Sequence, residues 1–242
     1  VIKAALNGGR TRAEHPGIPI TPEELARSAK ESIAAGAACI HFHVRGSDGK
    51  ESLKSEDVAA SLKAIRAAIP GIPVGVSTGA WILRNTALRY ELISQWNTLP
   101  NFASVNFNED GAAALAELLL SRNISTEAGL SDLAGTEVFV KSGLAKRCLR
   151  LLLEPMQPSV PEVLKTLDRI LALLDGAGVQ LPVVFHGLND TAWRMIDEAA
   201  TRGYDTRVGF EDILTLPDGS PASSNGDLVA EAGRRMRAVG TP

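Results

Sequence analysis

The chain has 242 residues, enough for one domain or two small ones, and α/β barrels run to ~250 residues as one domain. Hydrophobic residues are 45% and charged residues 22%, which excludes a disordered chain and supplies a sizeable core. Net charge is −3 with both signs scattered and aromatics at 5%, which argues against a nucleic-acid surface, and no apolar run approaches the ~18 residues of a membrane span. The sequence opens at Val1 in an apolar-periodic segment with no signal-peptide pattern, and Cys39 and Cys148 both lie in apolar runs. The expectation is a cytoplasmic protein with reduced core thiols.

Short apolar, β-branched runs alternate with helical patterns. The first strand is predicted over residues 2–6. Thr21 caps the first helix, Pro22 occupies its first position, Glu24 completes a capping box and Gly36 stops it. The second strand, residues 38–44, leads to a helix capped by Ser55 and ending before Pro70. The third strand, 73–77, precedes a helix over about 85–97. The fourth, 103–107, precedes a helix opened by Asp110 and ending near Asn123. The fifth, 124–127, is followed by a helix opened by Ser131. The sixth, 148–154, leads to a helix opened by Ser159 with Pro161 in its first turn. The seventh, 183–186, precedes a helix opened by Asp190 and closed by Gly203. The eighth, 206–210, precedes a helix over about 226–239.

Eight β–α units with short connections make a parallel sheet, and eight in 242 residues favour a closed (β/α)8 TIM barrel, a single α/β domain over residues 1–242. A doubly wound nucleotide-binding sheet fits worse. Asn7-Gly8-Gly9-Arg10 is not GxGxxG, and no acid ends the second strand.

In such a barrel the C-terminal strand ends build the active site. Here every strand ends in polar residues: Asn7 then Arg10, His41 through Arg45, Ser77-Thr78-Gly79, Ser104 and Asn106, Glu127, Glu154, His186-Gly187, and Arg207 through Asp212. Polar groups are costly to bury without partners, so this end of the barrel is expected to be functional. Three of the four histidines fall at strand ends, and His15 lies in the first loop of the same face.

His41 and His43 stand two apart in one strand, so both imidazoles point to one side and can converge on a metal. The competing reading is two hydrogen-bonded histidines lining a pocket. A catalytic Zn²⁺ typically takes about three protein ligands and keeps one position open. Glu211 is the candidate third, because strand eight lies one strand away from strand two round the barrel. Its plainer reading is a salt-bridge partner of Arg207. Arg207, facing inward by parity with Gly209 and Glu211, suits a substrate carboxylate or a structural pair with Asp212 or Glu154. Ser77, Thr78 and Gly79 suit a carboxylate or carbonyl, or a helix N-cap. Asn106 donates to an oxyanion or ties a loop. Glu127 and Glu154 face substrate or support the site. Trp81, Trp96 and Trp193 are read as packing residues.

Beside these readings, the sequence resembles the β-keto acid cleavage enzymes. The resemblance rests on Ala5-Leu6-Asn7-Gly8, on His15-Pro16 and Pro19-Ile20-Thr21, and on Ala35-Gly36-Ala37 leading into His41-Phe42-His43-Val44-Arg45 and Asp48-Gly49. Ser77-Thr78-Gly79, Val105-Asn106, His186-Gly187, Arg207 through Asp212, and Leu216-Pro217-Asp218-Gly219 complete it, in matching order along essentially the whole chain. It implies a (β/α)8 barrel holding Zn²⁺ on His41, His43 and Glu211. The implied reaction is a retro-Claisen-type exchange in which a β-keto acid and acetyl-CoA give acetoacetate and a new CoA thioester. The implied assembly is a homo-oligomer, a tetramer. By the same resemblance Ser77, Ser104 and Arg207 bind substrate and Asp212 takes part in proton transfer. Asn7, Arg10, Thr78, Gly79, Asn106 and Glu127 complete the expected substrate contacts.

Two departures bear on the substrate. Arg10 stands where some members carry Glu, which suggests an anionic distal group, and Ser104 stands where the typical member has Thr. The chain is also shorter than its relatives around strands five and six. No phosphate-cradling glycine loop is visible, so CoA is expected across the barrel mouth. The alternatives are a Zn-dependent barrel hydrolase or aldolase working without CoA, and a non-catalytic pocket protein. Hydrolases of this fold commonly carry HxH on strand one, whereas here it is on strand two.

Overall fold

The computed structural model describes residues 1–239. The apolar runs become strands β1 (Ile2–Ala5), β2 (Cys39–Phe42), β3 (Val74–Ser77), β4 (Phe102–Asn106), β5 (Ser125–Leu130), β6 (Arg150–Leu153), β7 (Val183–Phe185) and β8 (Asp205–Val208). All pair in parallel in chain order, and β8 closes on β1 with Lys3 opposite Arg207. Alternation puts Ile40 and Phe42, or Val74 and Val76, outward against helices, where they are buried. The helices are α1 (Pro22–Ala34), α2 (Ser55–Ala68), α3 (Thr86–Ser94), α4 (Ala112–Ser121), α5 (Leu133–Ser142), α6 (Val160–Gly176), α7 (Ala192–Arg202) and α8 (Asn225–Val239). The fold is the (β/α)8 barrel expected from the sequence. Among the described residues no helix is long and apolar enough to cross a membrane.

Several boundaries follow the expected chemistry. Thr21 and Glu24 form the capping box of α1, Asn85 caps α3 through Leu88 N–H, and Gly203 ends α7 at φ 71°. Others differ for local reasons. Ser55 is the first residue of α2 rather than its cap, because its hydroxyl accepts from Asn97 N–H at 3.2 Å. Gly111, at φ 76°, precedes α4 in place of Asp110, whose carbonyl accepts from Arg89. Asp132, not Ser131, caps α5 through Gly135 N–H at 2.7 Å. A short 3₁₀ turn over Asn189–Thr191 precedes α7.

The barrel floor is charged. Lys3 of β1 reaches across the interior to Glu127 of β5, with Nζ to Oε2 at 2.7 Å and both side chains fully buried. Arg150 of β6 donates to the other oxygen of Glu127 at 2.6 Å. The Phe102 ring lies 6.0 Å from Lys3 Nζ and 5.4 Å from the Arg150 guanidinium, and it fills the space that a side chain at Gly75 would need. This corrects the expectation for Glu127. Strand β5 runs three residues past it, so Glu127 sits mid-strand in the floor, closed to substrate. Burial alone would raise its pKa, but Lys3 and Arg150 override that and hold it at about 2. Both cysteines are buried and unpaired, and burial pushes Cys148 up to about 11.

Removing one member of a buried ion group strands the others, at a cost of about 3–5 kcal/mol. Glu127→Ala is expected to lose that much in urea unfolding. Because the folded pKa of Glu127 lies below its ordinary value of 4.5, its contribution is present above pH ~4.5 and lost as pH falls towards 2. The difference between wild type and Glu127→Ala should therefore shrink on acidification, as read from denaturation midpoints across that range.

Candidate active site

Strand β2 stops at Phe42 because the Asn7 carboxamide takes over the pairing at the next residue. Asn7 Oδ1 accepts from His43 N–H at 2.8 Å, and Asn7 Nδ2 donates to His43 O at 2.9 Å and to Pro19 O at 3.1 Å. Asn7 was expected to touch substrate. It is instead a buried clamp on the His43 backbone, with its amide fully used.

His41 and His43 both turn inward, their rings 5.5 Å apart and nearly perpendicular. Glu211 meets them from the loop after β8. Its Oε1 lies 3.3 Å from His43 Nε2, and its Oε2 lies 3.6 Å from His41 Nε2. The three candidate ligand atoms lie within 4.8 Å of one another. Gly8, at φ 54°, makes the approach possible, since a Cβ there would overlap Glu211 Cγ. Arg207 Nη2 donates to Glu211 Oε1 at 2.8 Å. Oε2 is buried with no hydrogen-bond partner. A buried carboxylate oxygen left open beside two imidazole nitrogens fits a bound divalent cation. Of the two sequence readings of Glu211, the salt bridge to Arg207 is present on Oε1, and the metal-ligand reading has a free oxygen, Oε2, available to it.

The charges agree. Burial lowers the His41 pKa far more than Glu211 raises it, so this ring stays neutral. Burial also opposes charge on His43, but Glu211 and Glu51 outweigh it and raise the pKa to about 9. Burial alone would raise the Glu211 pKa, whereas Arg207 and the two histidines hold it well below the carboxylate range. Arg207 is held above its ordinary value by Asp212 and Glu211 against the effect of burial.

Arg207 is wedged behind Glu211. Its Nε and Nη2 bind Asp212 at 3.1 and 2.5 Å. Asp212 also lies 3.6 Å from His186 Nδ1, and His186 Nε2 lies 3.3 Å from Glu154 Oε2. The chain Arg207–Asp212–His186–Glu154 thus links the ends of β6, β7 and β8.

The cavity above these residues has a volume of about 430 Å³. His41, His43, Glu211 and Arg207 line it together with Ser77 and Ser104. Asn106, Asn108, Ser131, Leu152, Glu154 and Leu188 are also in its lining. Thr78 lies beneath, its hydroxyl donating to Ser104 O at 2.7 Å, and Gly79 lies under the Trp81 ring. Asn106 Nδ2 donates to Glu109 Oε1 at 3.1 Å. Arg10 is turned away from the cavity, contrary to the expectation of a distal anion site. Its guanidinium binds Glu211 O at 3.2 Å, Asn189 Oδ1 at 2.6 Å and Glu14 at 3.3 Å, so it ties the first loop to the eighth. His15 also faces away, packed on Phe210 at 4.6 Å.

Residues not read as functional in the sequence, among them Trp81, which was read as packing, complete the rim. Glu51 binds His43, Trp81 stacks beside it, and Glu109 joins Arg89 at 2.6 Å to Ala80 N–H at 2.9 Å. The available signal for Glu51 was its place just after the Asp48-Gly49 turn, which returns the chain beside Arg45.

A closed parallel barrel with a candidate metal centre at its C-terminal mouth is the frame of a barrel enzyme. The sequence profile of the beta-keto acid cleavage enzyme family matches residues 1–242, and the chain belongs to that family. It is similar to the 3-keto-5-aminohexanoate cleavage enzyme of Acetoanaerobium sticklandii, 28% identical over 100% of this chain and 93% of that one. The enzyme of the same name from Fusobacterium nucleatum is 28% identical over 99% of this chain and 92% of its own. Among solved structures, the ternary complex of ObcA with C4-CoA adduct and oxalate superposes with a TM-score of 0.74 at 17% identity. The match covers 93% of this chain and 65% of that longer one, and at this identity it speaks for the fold alone.

Since His43 carries a proton up to about pH 9 in the metal-free protein, metal binding near neutral pH has to displace it. About one proton is expected to be released per Zn²⁺ at pH 7.5, with affinity rising between pH 6 and 8. Calorimetry in buffers of different ionisation enthalpy measures this. Binding without proton release contradicts the assignment of His43 as a ligand.

Proposed function

We propose that this protein is a Zn²⁺-dependent β-keto acid cleavage enzyme that exchanges acyl groups between a β-keto acid and acetyl-CoA, giving acetoacetate and a new CoA thioester. The observation that carries this reading is Glu211 Oε2, open and buried between His41 and His43, beside the Arg207 guanidinium. Zn²⁺ held by His41, His43 and Glu211 supplies a Lewis acid for the ketone oxygen. Arg207 Nε and Nη2 are occupied by Asp212 and Glu211, which leaves Nη1 as its donor for the substrate carboxylate. Ser77 and Ser104 line the same cavity and bind carboxylate or carbonyl oxygens. Asp212, immobilised by Arg207, takes the proton-transfer role. Membership of the family supports this assignment.

The charge of the cavity lining decides the substrate tail. Arg207 is the only Lys or Arg among the described lining residues, and its guanidinium is already engaged by Glu211 and Asp212. Glu154, whose Oε1 lies over Gly129, lines the same cavity with neutral amides and apolar side chains. A carboxylate tail would face Glu154 with no free cation, so the tail is neutral or cationic. The substrate in the names of the two curated relatives carries an amine.

The test is a panel of β-keto acids with neutral, amino and carboxylate tails, assayed with and without acetyl-CoA for acetoacetate and thioester. Turnover is expected only with acetyl-CoA, and carboxylate tails are expected to react worst. Equal turnover without any thioester would leave a CoA-independent lyase or hydrolase. Arg207→Ala is expected to lose about 2–5 kcal/mol of transition-state stabilisation on every substrate, as for a buried charge pair losing one partner. Arg10→Ala is expected to reduce kcat/KM by a similar factor for all tails, because it acts through the loop that carries Glu211. A loss confined to carboxylate tails would restore Arg10 as a substrate contact.

A further inference from the structure

The two histidines are not held alike. His41 Nδ1 is buried with no hydrogen-bond partner. His43 Nδ1 meets Glu51 Oε1 at 2.5 Å, and the same oxygen accepts from Trp81 Nε1 at 3.1 Å. The Trp81 ring stacks on the His43 ring with centroids 5.9 Å apart and planes 25° apart. Two loops bring these groups together. After β2 the chain reverses at Gly49, φ 76°, with Gly46 N–H donating to Lys50 O at 2.8 Å, so Glu51 returns opposite Arg45. After β3 the indole lies flat over Gly79, in the space a Cβ would take. A large aromatic ring left 51% exposed at the cavity rim is otherwise poorly used.

We propose that Glu51 and Trp81 are a positioning pair for His43. The Glu51 carboxylate fixes the tautomer with the proton on Nδ1, so Nε2 presents its lone pair to the metal. The Trp81 N–H holds that carboxylate in place, and the stacked indole stops the imidazole from turning. Neither residue acts on the reacting atoms in this scheme. The inference rests on the metal reading above and adds that affinity for the metal is set outside its ligand shell, mainly through His43.

The experiment is Zn²⁺ titration of the metal-free protein in competition with a chromophoric chelator. It compares wild type with Glu51→Ala, Glu51→Gln and Trp81→Phe, and the thermal midpoint of each metal-free protein serves as a folding control. Glu51→Ala is expected to raise the dissociation constant about 10–100-fold. Glu51→Gln keeps an acceptor oxygen, and Trp81→Phe keeps the stack but loses the N–H, so both are expected to show smaller increases. Zn²⁺ is also expected to change the emission of Trp81 in the wild type and not in Trp81→Phe, since Trp96 and Trp193 are buried elsewhere. Zn²⁺ affinity in a folded Glu51→Ala protein within about twofold of wild type overturns the pair. If that variant does not fold, unchanged affinity in both Glu51→Gln and Trp81→Phe overturns it. Wild type that fails to bind Zn²⁺ overturns the metal reading and this inference with it, a result that no variant can mimic.

Discussion

Charge pairing inside a closed barrel is the constraint on which this structure depends. Once β8 pairs with β1, interior side chains have little water to fall back on, and each buried charge needs a partner. Lys3 and Arg150 answer Glu127 at the floor. Arg207 answers Asp212 and Glu211 one layer higher. The upper layer is the one left incomplete. Glu211 spends one oxygen on Arg207 and keeps the other open towards the histidines. The same rule that makes the floor inert gives the mouth a place for one more positive charge.

The first loop is the hub that holds this geometry. Asn7 grips the backbone of His43, and Gly8 gives room for the Glu211 side chain. Arg45 donates to the carbonyls of Gly8 and Arg10, and Arg10 donates to the carbonyl of Glu211. Three side chains, Asn7, Arg45 and Arg10, thus fasten the loop after β1 to the two loops carrying the candidate ligands. Most of them end on backbone carbonyls or amides, which resist sequence change better than side-chain pairs do.

This division explains what was legible in the sequence. The barrel followed from alternation of strand and helix patterns. His41 and His43 followed from the two-residue period of a strand, and Glu211 from the closeness of strand eight to strand two round the barrel, although it lies in the loop after β8 and not in the strand. Asn7 and Arg10 were placed at the right end of the barrel but given the wrong partners, because a bond to a backbone carbonyl leaves no pattern in the sequence. Glu127 was misplaced because Ala128, Gly129 and Leu130 carry no polar stop, and the strand simply continues. Trp81 was read as packing, and only the glycine two residues earlier hinted that its ring had somewhere flat to lie.

The paired layer also defines what Arg207 does. Its charge is largely balanced already, by Asp212 at 2.5 Å and Glu211 at 2.8 Å. It therefore offers a substrate a directed donor more than a net positive field. Its removal would set two carboxylates side by side without a cation, and like charges at that range resist common ionisation. Asp212 would then lose its fixed position, and Glu211 Oε1 would keep only His43 Nε2 at 3.3 Å as a partner. Carboxylate binding, the placing of Asp212 and the hold on Glu211 Oε1 all draw on one guanidinium, so a deletion there measures the three together.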